Sequence, residues 1–232
     1  AAPIRGAAVT LDATYGYIGT QSQAITVSSS NLNLITGGSL YVTDLAAIST
    51  LNLTANHLLG AGLVYSLTAP NLTLWAVDTQ GGDAIFDAGG RYASSVRWTD
   101  YSLTVPSGYT GPTTVSLTQD TNLLPENIVL PGAALSITST MGAILGGNYY
   151  QPIVADSLVL RSPNAIGGIN HDGNINSLSL YGSNAGGVDN GWQLNIGVAN
   201  TVDAQTLTPT GQVSNNSIVS LIQYGVLQGV AK

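Results

Sequence analysis

The sequence predicts an all-β chain wound as a parallel β-helix, a solenoid of short strands stacked coil upon coil. Three observations carry that prediction. Apolar residues recur at every second position in short runs such as Leu32-Asn33-Leu34, whereas a helix of similar burial needs them three and four apart. The same Leu-x-Leu/Ile/Val signature begins again at 51, 72, 135, 158 and 178, at intervals of about 20 residues, in the range of solenoid repeats. Such a period is too short for a βαβ unit, which needs roughly 30 residues.

The opening unit, Gly16 to Asp44, sets the pattern. It holds Ile25-Val27, Leu32-Leu34 and Leu40-Val42, separated by small or polar turn formers, so it reads as three short strands per coil. The leucines face inward, with Asn33, Tyr41 and Thr43 outside. Coils of this size predict some 11 turns and a rod on the order of 50 Å long at a strand spacing of about 4.8 Å. Through residue 80 the rhythm continues with Leu51-Leu53, Leu63-Tyr65 and Leu72-Leu74, and Gly60, Gly62 and Pro70 mark corners.

Residues 81–112 break the rhythm. They carry the glycine pairs at 81–82 and 89–90, Phe86, and two of the four arginines, Arg91 and Arg97. Insertions in solenoids leave the body as loops on one face, often the binding face, so this stretch predicts an extra-helical insertion. The plainer alternative is two irregular coils. From 113 to about 200 the alternation returns, with Pro125, Pro131, Pro152 and Pro163 expected beside the strands rather than within them. Residues 206–232 end in a longer apolar run, Ser217 to Val230, that suits a cap or a subunit-contact segment, as a last strand or a short helix.

Composition narrows the function. Charged residues make up 7% of the chain, against roughly 25% in an average globular protein. Thr, Ser, Asn, Gln and Gly must therefore cover the surface. The formal net charge of −7, with a single lysine at position 232, excludes a nucleic-acid partner, which needs clustered Lys and Arg. The chain has no cysteine, hence no disulfide, thiolate nucleophile or cysteine metal site. No apolar run approaches the roughly 20 residues of a membrane helix. No charged-then-apolar leader opens the sequence, which reads as a mature form or a piece of something longer.

The opening unit, read as Y-I-G-T, A-I-T-V, N-L-N-L and G-G-S-L-Y-V-T-D, resembles the repeat units of filamentous-haemagglutinin-like exoproteins of two-partner secretion. Gln151 to Gly167 is similar to the same unit, and the resemblance spans about two thirds of the chain. It implies a right-handed β-helix, passage through an outer-membrane secretion partner, and adhesion at the surface of a Gram-negative bacterium. The Asn-Pro-Asn motifs of that family's secretion domain are absent, so the chain would correspond to the rod, and no functional residue carries over.

Candidate sites are few. Asp78, Asp83 and Asp87, followed by Arg91, form the densest acidic group. Converging within about 5 to 10 Å they would suit polysaccharide chemistry or a calcium ion, and apart they are solvated turn residues. Asp172 to Asn176 starts like a calcium loop but has Ser177 and Ser183 where the glycine and the closing glutamate belong. His57 and His171 lie in different repeats, which leaves a metal site or a His-dependent triad little material. Asn52, Asn71 and Asn215 are formal glycosylation acceptors.

The candidate binding surface is Arg91, Tyr92, Arg97, Trp98, Tyr101 and Tyr109, whose rings would either stack on a glycan or plug the insertion against the rod. No catalytic, metal or cofactor-binding residue is assigned, and no cofactor is expected. The expected partners are a host or neighbouring-cell surface, a glycan on it, or a second copy in head-to-tail contact. The sequence thus reads as a non-catalytic surface adhesin or fibre segment, with a polysaccharide-acting β-helix enzyme or a self-assembling fibre subunit as alternatives.

Overall fold

The computed structural model describes residues 2–80, 97–142, 144, 153–162, 166, 194–196, 201–206 and 221–223. No helix occurs among them. The strands are β1 (Ile4–Arg5), β2 (Ala8–Ala13), β3 (Ile25–Ser28), β4 (Asn31–Thr36), β5 (Leu40–Asp44), β6 (Thr50–Ala55), β7 (Val64–Ala69) and β8 (Leu72–Gln80). They continue as β9 (Arg97–Thr104), β10 (Thr114–Gln119), β11 (Asn122–Val129), β12 (Ala134–Ser139), β13 (Ser157–Ser162), β14 (Leu194–Ile196), β15 (Thr201–Thr206) and β16 (Leu221–Gln223).

Two sheets take nearly all of these strands. The first runs β1-β3-β5-β7-β8-β9-β11 and the second β2-β4-β6-β10-β12-β13-β15. Along the regular coils successive strands alternate between the sheets, which makes, among the described residues, a parallel β-solenoid of about 6 turns with roughly 23 residues per coil. The coils are therefore longer than the 20-residue spacing predicts. Each regular coil holds two strands where three were expected: Ile25–Ser28 and Leu40–Asp44 pair with each other in the first sheet, and the bridges Leu123 to Ile144 to Ile166 and Val129 to Val154 continue that sheet past β11.

Alternation fixes the core. In the second sheet the register stacks Val9, Leu32, Leu51, Val115, Leu135 and Leu158 in one inward column. A second column stacks Leu11, Leu34, Leu53, Leu117, Ile137 and Leu160. Leu32, Leu34, Leu51, Leu53, Leu117 and Ile137 are all buried, each contributing roughly 1.5 to 3 kcal/mol. Asn33, Asn52, Ser116 and Ser136 form the outward column between them. A slip of one residue would bury that polar column and expose the leucines, so the register is strongly specified.

The corner after the second-sheet strands is built from hydroxyls and glycine. Thr36 Oγ1 donates to the Gly16 carbonyl at 3.2 Å, Ser139 Oγ to that of Thr121 at 2.7 Å, and Ser162 Oγ to that of Gly142 at 2.8 Å. Each bond reaches back one coil. Backbones come close enough there to require glycine: a Cβ on Gly37 would lie 2.2 Å from the Thr14 carbonyl oxygen, and one on Gly142 2.4 Å from the Asn122 nitrogen.

Between β7 and β11 the regular winding is interrupted. Ala69 and Leu72 pair across Pro70–Asn71, so β8 folds back antiparallel on β7, and β9 returns antiparallel on β8. Meanwhile β6 pairs directly with β10 in the second sheet. The first sheet thus gains two strands that the second lacks. Of the insertion expected over 81–112, residues 97–104 form β9 inside the body, 105–112 lead into β10, and 81–96 lie outside the described residues. The described strand of that stretch keeps the alternation of the coils, with the chain direction reversed twice between β7 and β9.

Pro125 also departs from expectation, since it sits within β11. A register shift between Pro125 and Asn127 marks its place, as a bulge accommodates a residue without an N–H. In the terminal segment, Leu221–Gln223 is a strand, paired parallel with Leu194–Ile196.

Candidate functional site

The inward positions of the first sheet show where the chain departs from a plain core. Across β8, β9 and β11 the register aligns Asp78, Thr99 and Leu123, and bridges extend that row to Ile144 and Ile166. Later coils fill the row with leucine or isoleucine. The hairpin fills it with a carboxylate and a hydroxyl, both fully enclosed, with relative exposures of 2% and 0%.

Their partners come from three separate stretches. Arg97, at the start of β9, clasps Asp78 through Nε at 2.8 and 3.0 Å and through Nη2 at 2.8 Å, and donates to the Gly60 carbonyl as well. The Gly62 N–H completes the carboxylate's shell at 3.0 Å. These bonds push the Arg97 guanidinium up from its ordinary value, with partial burial opposing. A bidentate guanidinium is the partner that makes an enclosed carboxylate tolerable.

His57 enters from the corner between β6 and β7, in a left-handed backbone conformation with φ of 41°. Its Nδ1 lies 2.5 Å from Asp120 Oδ1, its Nε2 2.9 Å from Thr99 Oγ1, and Nε2 is also 4.0 Å from Asp78 Oδ1. Asp120 follows β10 in the neighbouring corner and keeps about a fifth of its side chain in solvent. Asp120, His57 and Thr99 therefore have the connectivity of an acid, a base and a hydroxyl nucleophile. Thr99 has no exposed surface, so no external substrate reaches that hydroxyl. What the arrangement does is join three coil segments through one imidazole.

Tyr65 and Tyr101 close the network from the same inner face. The Tyr65 ring meets His57 edge-on at 5.8 Å. Neither tyrosine hydroxyl has a hydrogen-bond partner. Burial pushes both hydroxyls far up. Tyr101, Asp78 and Asp120 add to the effect at Tyr65 while Arg97 opposes it, and Asp120 and Asp78 add to it at Tyr101. Among the described residues no group of three His, Cys, Asp or Glu side chains is placed to hold a metal ion.

Of the candidate binding surface, the four described residues do not share one face. Tyr101 is 1% exposed and faces the core, Trp98 is buried on the opposite side of β9, and Arg97 is engaged with Asp78. Tyr109 stands exposed in the loop before β10. Arg91 and Tyr92 lie outside the described residues, as do Asp83, Asp87, His171, Asp172 and Asn215. Asn71 is a structural clamp: it accepts from Ile48 N and donates to the carbonyls of Ile48 and Thr110.

Sequence reasoning passed over two features. One is the His57 network, whose signal was Asp78 standing in phase with Leu72, Leu74 and Ala76. The other is Trp75, exposed on the outer face of β8. Its direct cross-strand neighbours are Ser66 and Ser102, and the adjacent outward rows are Thr68, Thr73 and Thr104 on one side and Val64, Val77 and Asp100 on the other.

No family model, curated protein or solved structure matches the chain, and the resemblance to filamentous-haemagglutinin-like exoproteins rests on the repeat units alone.

Proposed function

We propose that this chain is a segment of a non-catalytic bacterial surface rod that mediates attachment or contact between cells or subunits. The observation that carries the reading is the solenoid itself, whose stacked coils present outward columns of Asn, Ser and Thr with very few charges. Such a face is wettable and rigid, and it offers many weak hydrogen-bonding contacts. The sealed state of Thr99 and the pairing of Asp78 with Arg97 speak against the polysaccharide-cleaving alternative, because neither group is available to a glycosidic bond. On this reading the chain acts outside the cell, delivered by an outer-membrane pore, and needs no cofactor.

The test is adhesion by the purified chain. Beads coated with it should be retained on bacterial or host-cell monolayers above beads coated with an unrelated acidic β-protein. Electron micrographs over a concentration series check the subunit alternative. Equal retention of both bead types together with absence of filaments would end this reading, and release of oligosaccharide from polysaccharide would replace it with the enzymatic one.

A further inference from the structure

We propose that the outer face of the β7–β8–β9 hairpin is a binding face for a neutral glycan, with a pyranose ring stacking on the Trp75 indole. The inference rests on the contact-rod reading and gives it a ligand class and a place.

Trp75 lies in the middle strand of a three-strand antiparallel patch, opposite Ser66 on β7 and Ser102 on β9. Directly opposed side chains in such a sheet stand about 4.5 to 5.5 Å apart, close enough for a large neighbour to cover the ring. Two serines do not cover it, and the indole keeps 47% of its surface in solvent. The next outward rows, two residues along each strand and so roughly 7 Å away, are Thr68, Thr73 and Thr104 on one side and Val64, Val77 and Asp100 on the other. An apolar plate therefore stands beside a row of three hydroxyls, at about the span of one sugar ring.

A pyranose offers the complement, with a C–H face for the indole and hydroxyls at its edge for the threonines. The charge pattern selects among ligands. No cationic side chain stands in these three rows, Asp100 adds a carboxylate to one of them, Arg97 is spent on Asp78, and the chain carries a formal net charge of −7, so phosphates and acidic glycans are repelled. A protein partner calls for a wider apolar surface than one indole and the two half-buried valines, Val64 and Val77, provide. Hydroxyls beside an apolar plate, with no positive charge in the rows, leave an uncharged, hydroxyl-rich ligand as the best match.

The test uses the whole chain and affinity electrophoresis through gels holding neutral polymers (xyloglucan, mannan, galactan, dextran) or acidic ones (alginate, polygalacturonate). At least one neutral polymer should retard the wild-type chain, with the acidic ones inert. Trp75→Ala should weaken that retardation about tenfold or more, Trp75→Phe should keep part of it, and Trp98→Phe should leave it unchanged. Circular dichroism of Trp75→Ala should match wild type, since the side chain lies outside the core. Retardation by acidic polymers alone, by no polymer, or equally in Trp75→Ala would overturn the glycan face. Bead retention on cells reads the broader proposal separately: retained beads with unchanged binding by Trp75→Ala would sink the glycan face and leave the rod reading standing.

Discussion

The coils around β4, β6 and β10 and the hairpin of β7, β8 and β9 are made from the same alternating strands, yet they solve the core differently. In the coils every inward strand position up to the corner is leucine, isoleucine or valine, and each strand stacks on its equivalent one coil away. In the hairpin the inward row begins with Asp78 and Thr99 and draws His57, Arg97 and Asp120 around them. Repetition lets a coil find its partner by apolar register alone. A reversal inserted into one sheet has no equivalent strand to stack on, and directional bonds from the flanking corners fix its place instead. The coils therefore rest on burial, and the hairpin adds a charged lock to it.

The sharpest way to break this contrast is to remove one half of the lock. Asp78→Ala strands Arg97 and the Gly62 N–H and should cost about 3 to 5 kcal/mol, toward the lower end because Arg97 is partly solvated. Urea unfolding measures it, and a loss below about 1 kcal/mol would mean the hairpin is held by packing like any other strand. Leu53→Ala, in the middle of an inward column, tests the other half. It should cost about 3 kcal/mol and lower the unfolding midpoint without altering the His57 resonances in NMR spectra.

Alkaline titration distinguishes the regions by pH. Tyr65 and Tyr101 have hydroxyls raised well above the unfolded value of about 10. Their neutral forms are favoured in the fold, so this contribution is complete below pH ~10 and is lost as pH rises beyond it. With both rings buried, stability should fall by up to about 2 kcal/mol between pH 10 and 11. Tyr65→Phe and Tyr101→Phe should flatten that fall, and at neutral pH each should be neutral or stabilising because an unpartnered hydroxyl is removed. A steeper fall in the double variant would contradict the assignment. The smallest effect belongs to the coils: Ser139→Ala deletes two corner bonds, one to the Thr121 carbonyl and one from the Gly142 N–H, and should cost about 1.5 kcal/mol in the same urea assay.

These contrasts follow how much was legible in the sequence. Leu32, Leu34, Leu51 and Leu53 announce the inward columns because strand periodicity is local and repeats. The hairpin was hidden because Leu72, Leu74 and Ala76 alternate as a parallel strand would, and alternation carries no direction. Pro70–Asn71 was the one local sign of a reversal, and it reads equally well as a corner. His57 was invisible for a different reason: its partners Thr99 and Asp120 lie 42 and 63 residues away, joined only when the coils close. Trp75 looked like the end of a coil strand, and its exposure depends on Ser66 and Ser102, which are neighbours through pairing alone.

The two additional strands also have a geometric result. Between the coil of β5 and β6 and the coil of β11 and β12, the first sheet takes four strand steps while the second takes two, a difference of roughly 10 Å. Two layers joined at their corners but unequal in length follow arcs of different radius, with the longer layer outermost. Trp75, on β8, the first of the two strands that make the difference, then stands at the apex of that arc. A probe sliding along the rod would meet this knuckle ahead of the flatter faces on either side.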